Sequence, residues 1–99
     1  MGNILSLDRI REMLSPVFQS YGVRKATIFG SYAKGTAHEN SDVDLLVDSG
    51  LKGLRFMSLA AKVEDVLGRN VDIFDTTHID ADSPVDREIK RTGVVFFGK

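Results

Sequence analysis

The 99-residue chain contains no cysteine, no tryptophan and only two prolines. Without cysteine there is no disulfide framework, no thiolate metal cage and no thiol nucleophile, a composition that suits a reducing compartment. An excess of charge of one sign is missing as well, since 13 Lys and Arg stand against 14 Asp and Glu for a formal charge of -1. That balance gives no support to a phosphate-coating protein or a polybasic membrane anchor, so any nucleotide chemistry has to be local. Aromatic residues make up 8% of the chain and are not interleaved with basic ones, so direct nucleic-acid binding on a stacking platform is not expected. No apolar run approaches the length of a membrane span, and the N-terminus lacks the basic-then-apolar layout of a signal peptide. A cytoplasmic location is the expectation. Met1-Gly2-Asn3-Ile4-Leu5-Ser6 fits the permissive acylation pattern of Gly2 followed four residues later by serine. No basic segment accompanies it, and a single acyl chain holds a membrane only marginally.

What is present is ordinary globular material, 42% hydrophobic and 27% charged, at a length that suits one domain over residues 1–99. From Ser6, an N-cap, apolar Ile10, Met13, Leu14, Val17, Phe18 and Tyr21 recur at helical intervals, and Gly22 ends the pattern. Pro16 is expected to kink or restart this helix, because proline has no N–H to donate to the carbonyl four residues back. Ala26-Thr27-Ile28-Phe29 reads as a buried strand that stops at Gly30. Residues Ser31 to Ser41 are small or polar and form a turn with at most a short helix, before a second strand over Asp42–Val47 that Asp48-Ser49-Gly50 closes. Leu54, Met57, Ala61, Val63, Val66 and Leu67 mark a second amphipathic helix, which Gly68 terminates. Val71–Phe74 is a third strand. Ser83 before Pro84, with Asp86 three residues on, starts a helix that runs to about Arg91, and Val94–Phe97 is a last strand. Strands alternating with helices predict an α/β (α+β) domain, a mixed sheet of three to four strands with helices packed mainly on one face and its acids at an exposed edge.

Asp42 and Asp44 flank Val43 in an otherwise apolar strand, and strand alternation puts both carboxylates on one face. Like charges at neighbouring same-face positions repel, and aspartate forms strands poorly, so the pair calls for a compensating cation or a strand end open to water. Hard oxygen donors at this spacing suit Mg²⁺, which takes one or two carboxylates and completes its shell with water and substrate phosphates. By themselves the two acids fit equally a strand cap at Asp42 and a solvated side chain at Asp44. A third acid, Asp72, interrupts the apolar Val71-Asp72-Ile73-Phe74. It is either a solvated residue on an edge strand or the third member of a cluster that would bind two divalent ions for an in-line phosphoryl displacement.

The turn Gly30-Ser31-Tyr32-Ala33-Lys34-Gly35 carries features of a phosphate cradle: glycines for close backbone approach, and Ser31 at the start of a short helix with free N–H groups. Turn geometry alone also accounts for the two glycines. A Walker A loop is excluded, because Thr36 and Ala37 follow Gly35 where that motif needs Lys and then Ser or Thr. His38 and His78 lack metal-ligand spacing and are expected on surface loops, Ser31 is not in a Gly-x-Ser-x-Gly elbow, and Arg87, Lys90 and Arg91 read as a solvated helix face or a contact for an acidic partner.

Taken together, Gly30-Ser31, ten intervening residues and Asp42-Val43-Asp44 resemble the signature of the nucleotidyltransferase superfamily that includes DNA polymerase beta. The run from Phe29 through Gly35 and from Ser41 through Val47 is similar to its small prokaryotic branch, the minimal nucleotidyltransferases, and the likeness continues through Asp72 to the ending Glu88-Ile89-Lys90-Arg91-Thr92-Gly93-Val94-Val95. The resemblance implies a nucleotidyltransferase fold, Mg²⁺ as cofactor and ATP as substrate. It also implies a HEPN-domain toxin as partner, with AMP moved from ATP onto a toxin tyrosine by an antitoxin enzyme. By position, Asp42 and Asp44 would coordinate Mg²⁺, Asp72 would complete a second metal site and help deprotonate the acceptor hydroxyl, and Ser31 with the Gly30 backbone would hold the β- and γ-phosphates. Lys34 and Ser41 complete the nucleotide-binding set, Lys34 standing where many relatives carry arginine and so offering a point charge in place of a bidentate fork. Because the chain holds little beyond such a core, the acceptor is expected to be a protein that docks beside the site. The alternatives are an antitoxin that acts by occlusion alone, without catalysis, and transfer to a small hydroxylated molecule.

Overall fold

Residues 5–38 and 41–98 are described by the computed structural model, so the acylation pattern at Gly2, and Asn40 in the turn before Asp42, lie outside the described residues. Helix α1 spans Leu7–Tyr21, capped by the Ser6 side chain accepting from the Arg9 N–H at 3.1 Å and closed by Gly22 in the left-handed region. It runs through Pro16 without a break, so the helix does not restart there. Pro16 and Glu12 both lie on the exposed face, where the carbonyl that proline leaves unpaired meets solvent. The buried face is Ile10, Leu14, Val17 and Phe18.

Strand β1 covers Lys25–Phe29, α2 is the single turn Ser31–Lys34, and β2 covers Val43–Asp48, one residue later than expected, so that Asp42 immediately precedes it. Helix α3 spans Gly53–Leu67, β3 Val71–Asp75, a 3₁₀ turn Thr76–His78, α4 Pro84–Thr92 and β4 Val94–Gly98. The expected apolar face of α3 is corrected here. Leu59, Val63 and Leu67 are buried, whereas Leu54 is 82% exposed and Met57 64% exposed. The helix carries apolar residues in two registers, 54/57/61 and 59/63/67, and only the second meets the sheet.

The four strands form one mixed sheet in the order β3-β2-β1-β4, with β1 antiparallel to β2 and β4, and β2 parallel to β3. Alternation divides its two faces. Ala26, Ile28, Val43, Leu45, Val47 and Val71 point into the core that α1 and α3 cover. Thr27, Phe29, Asp44, Leu46, Asp72 and Phe74 point to the opposite face, where α4 packs against β1. Thus the two long helices share one face and the short α4 lies on the other. No helix among the described residues is long and apolar enough to cross a membrane.

Asp75, which the sequence reading left without a role, clips the far end of β3 to β2. Its Oδ1 accepts from Ser49 N–H at 3.0 Å and Ser49 Oγ at 2.6 Å, and its Oδ2 from Thr77 N–H at 3.1 Å and Thr77 Oγ1 at 2.8 Å. Burial alone would raise the carboxyl pKa, but these four hydrogen bonds outweigh it and hold the group at about 2. The contribution to stability is therefore complete above the ordinary carboxylate range and lost as pH falls through about 2. We predict that Asp75→Ala costs about 2–4 kcal/mol in urea denaturation at pH 7, because buried donors lose their acceptor, and that the gap to wild type narrows as pH is lowered toward 2.

Candidate active site

The parallel register sets Asp44 of β2 directly beside Asp72 of β3, while the antiparallel register sets Asp44 across from Phe29, the residue before Gly30. The last residue of β1 and the opening residues of β2 and β3 thus meet at one end of the sheet. Asp42, two residues before Asp44, is exposed, as is Asp72, whereas Asp44 is half-buried. The acids therefore sit at one end of the sheet, Asp44 in the interior strand β2 and Asp72 in the edge strand β3. Phe29 and Phe74 pack with ring centroids 6.2 Å apart on this face.

Burial, first, and then the neighbouring Asp72 carboxyl raise Asp44 to a pKa of about 6; a hydrogen bond to Asp72 and the charges of Asp42 and Glu88 push the same way. A half-buried carboxyl raised by an adjacent carboxyl marks a site short of positive charge. Hard-oxygen chemistry fits Mg²⁺ with two protein carboxylates and the remainder of the shell left to water and phosphate. Among the described residues no three acid, histidine or cysteine side chains are already gathered as a cage for an ion.

Gly30 is shaped by that pair. It adopts φ 75° and ψ -147°, and a methyl group built on it would fall inside the Asp44 carboxylate. Its N–H donates to Thr92 Oγ1 at 2.9 Å. That amide is thereby engaged within the protein, and the amides left ahead of the first intrahelical bond, Lys34 N–H to Gly30 carbonyl at 3.0 Å, are those of Ser31, Tyr32 and Ala33. Ser31 is half-buried at the start of α2, and Tyr32 is buried with its hydroxyl accepting from Arg69 Nη1 at 2.7 Å. Lys34 lies 3.8 Å from Glu88 of α4, and Ser41 Oγ accepts the His38 N–H at 2.9 Å, bracing the turn that leads to Asp42. His38 and His78 are exposed. Lys90 pairs with Asp86 at 2.9 Å and Arg91 with Glu88, in keeping with a solvated face. Thr92, Glu88 and Arg69 were not singled out from the sequence. The only signal for Glu88 and Thr92 was the resemblance of the C-terminal run.

The polymerase beta nucleotidyltransferase family matches residues 12–99, and the chain belongs to that family. A relative in Thermococcus cleftensis, the protein adenylyltransferase MntA, is 38% identical over an alignment of 76 residues that covers 71% of this chain and 77% of that one. A relative in Methanocaldococcus jannaschii, 37% identical over an alignment of 71 residues that covers 70% of this chain and 76% of that one, carries the name protein adenylyltransferase in provisional form. Among solved structures, a chain of a toxin–antitoxin complex crystallised with AMP-PNP superposes with a TM-score of 0.73 at 26% identity, covering 90% of this chain and 73% of that chain.

Two outcomes test this geometry. Ionising Asp44 costs more in the folded than in the unfolded chain, so it weakens the fold as pH rises from the ordinary carboxylate range through about 6. In chelated buffer, Asp44→Asn is therefore expected to denature at higher urea than wild type at pH 7.5, with the difference closing by pH 4. Gly30→Ala is expected to lose about 1–3 kcal/mol more than Gly35→Ala, since both residues have positive φ but only Gly30 faces a side chain. Equal losses would show that the Asp44 carboxylate does not occupy the space beside Gly30.

Proposed function

We propose that the protein is a magnesium-dependent adenylyltransferase that moves AMP from ATP onto a hydroxyl, a tyrosine, of a HEPN-domain toxin and so acts as its antitoxin in the cytoplasm. The register of Asp44 against Asp72, one residue along from the Gly30–Ser31 bend, is the observation that carries this reading. Names of relatives as protein adenylyltransferases, and the likeness to a toxin–antitoxin chain crystallised with an ATP analogue, support the same assignment.

In this reading the acceptor oxygen attacks the α-phosphorus, a new P–O bond forms as the bond to the bridging oxygen breaks, and pyrophosphate leaves. Bound magnesium would neutralise charge on the phosphate oxygens. Asp44 and Asp72 would hold it, with Asp42 joining from the approach to β2. Asp72 is the more exposed of the pair and would take the proton of the acceptor hydroxyl as the new bond forms. The Ser31 hydroxyl and the amides of residues 31–33 would receive the outgoing phosphates, and Lys34, released from Glu88, would add a point charge there.

Incubation of the protein with its HEPN partner and Mg-ATP, followed by intact-mass measurement of the partner, tests the assignment. AMP-sized increments are expected with wild type and none with Asp42→Ala. A partner that is neutralised at unchanged mass would establish occlusion instead, and pyrophosphate released with a small hydroxylated acceptor alone would move the substrate to that class.

A further inference from the structure

A threonine near the end of the chain holds the bend that begins at Gly30. The Gly30 N–H donates to Thr92 Oγ1 at 2.9 Å, and that hydroxyl donates onward to the Glu88 carbonyl at 2.8 Å. Its single proton is committed to Glu88, which leaves a lone pair directed at Gly30. Thr92 is half-buried as the last residue of α4. The next residue, Gly93, lets it get there: a Cβ on Gly93 would lie 3.0 Å from Thr27 Cγ2 and press on the Ile89 carbonyl, so the bare backbone allows the end of α4 to settle onto β1. One turn earlier in α4, Glu88 lies 3.8 Å from Lys34 at the other end of the bend. Helix α4 therefore grips the segment 30–34 at both ends.

Glycine at a positive φ has wide backbone freedom, and here the freedom has to be removed. Rotation at Gly30 would swing the Ser31 bend and change the gap beside the Asp44 carboxylate, which lies where a Cβ on Gly30 would fall. We propose that Thr92 is a positioning residue whose hydroxyl fixes the Gly30 peptide, so that the Ser31 bend and the Asp44 carboxylate keep the spacing that phosphate binding requires. This rests on the nucleotidyltransferase reading above, and Thr92 itself touches no reacting atom.

The test uses the full chain and Mg²⁺ with AMP-PNP, titrated calorimetrically. Thr92→Val, which keeps the shape and loses the hydroxyl, is expected to bind roughly 3- to 30-fold more weakly, while Thr92→Ser stays within about twofold of wild type. A serine variant as weak as the valine variant would overturn the proposal, because a role limited to packing would explain both. Equal binding by wild type and Thr92→Val would overturn it while leaving the nucleotidyltransferase reading intact; a wild-type chain that does not bind Mg-AMP-PNP would overturn both. Amide exchange at Gly30 decides the matter even if the valine variant does not fold. In the wild-type protein this amide is expected to be protected, and exchange at the rate of an open loop amide would overturn the proposal.

Discussion

Two aspartates side by side in adjacent parallel strands set the problem around which this molecule is built. Asp44 and Asp72 share one rung of the β2–β3 ladder, so the register keeps the two residues side by side. The nearby Lys34 is turned to Glu88. Half-burial of Asp44 sharpens the repulsion, and the outcome is a carboxyl that keeps its proton to about pH 6. A like-charge pair with one member half-buried is expensive to keep in neighbouring strands. Its natural use is to receive a divalent ion and the phosphates that come with it.

The surrounding elements are disposed to make that pair both rigid and accessible. Alternation sends Val43, Leu45 and Val47 into the core under α1 and α3, and the same alternation sends Asp44 and Leu46 to the other face. The hydrophobic effect fixes the strand's rotation, and the acids follow from it. At the opposite end of β3, Asp75 ties Ser49 and Thr77 together, so both ends of the β2–β3 pair carry an aspartate with opposite electrostatic character. Asp75 is saturated with donors and strongly acidic, and Asp44 is short of them and weakly so. The comparison illustrates that environment, and not residue type, divides structural carboxylates from chemical ones.

Much of this was legible in the sequence where local rules and tertiary demands agree. The caps at Ser6 and Ser83, the stops at Gly22 and Gly68 and the three strands through Phe74 follow from patterns of a few residues. That Asp44 leaves the core face while Val43 and Leu45 enter it needed only the period of a strand. That Asp72 lies next to Asp44 required the strand order, which no local pattern contains, and came only through the family resemblance. Helix α3 misled because it carries apolar residues on two sides, and only packing selects between them. Pro16 does not end the helix because it and Glu12 lie on the exposed face, and that depends on packing as well as on sequence. Thr92 and Arg69 were invisible for another reason: each acts through a hydrogen bond more than thirty residues away in the chain.

The central claim is that Asp44 and Asp72 together form the seat of a divalent cation beside the Gly30–Ser31 bend. Its most direct test is the anomalous scattering of a crystal grown with Mn²⁺ and AMP-PNP. The account predicts a manganese peak within ligating distance of both carboxylates, with the triphosphate running toward Ser31. A peak bound by neither aspartate, or a triphosphate seated on the face covered by α1 and α3, would contradict it.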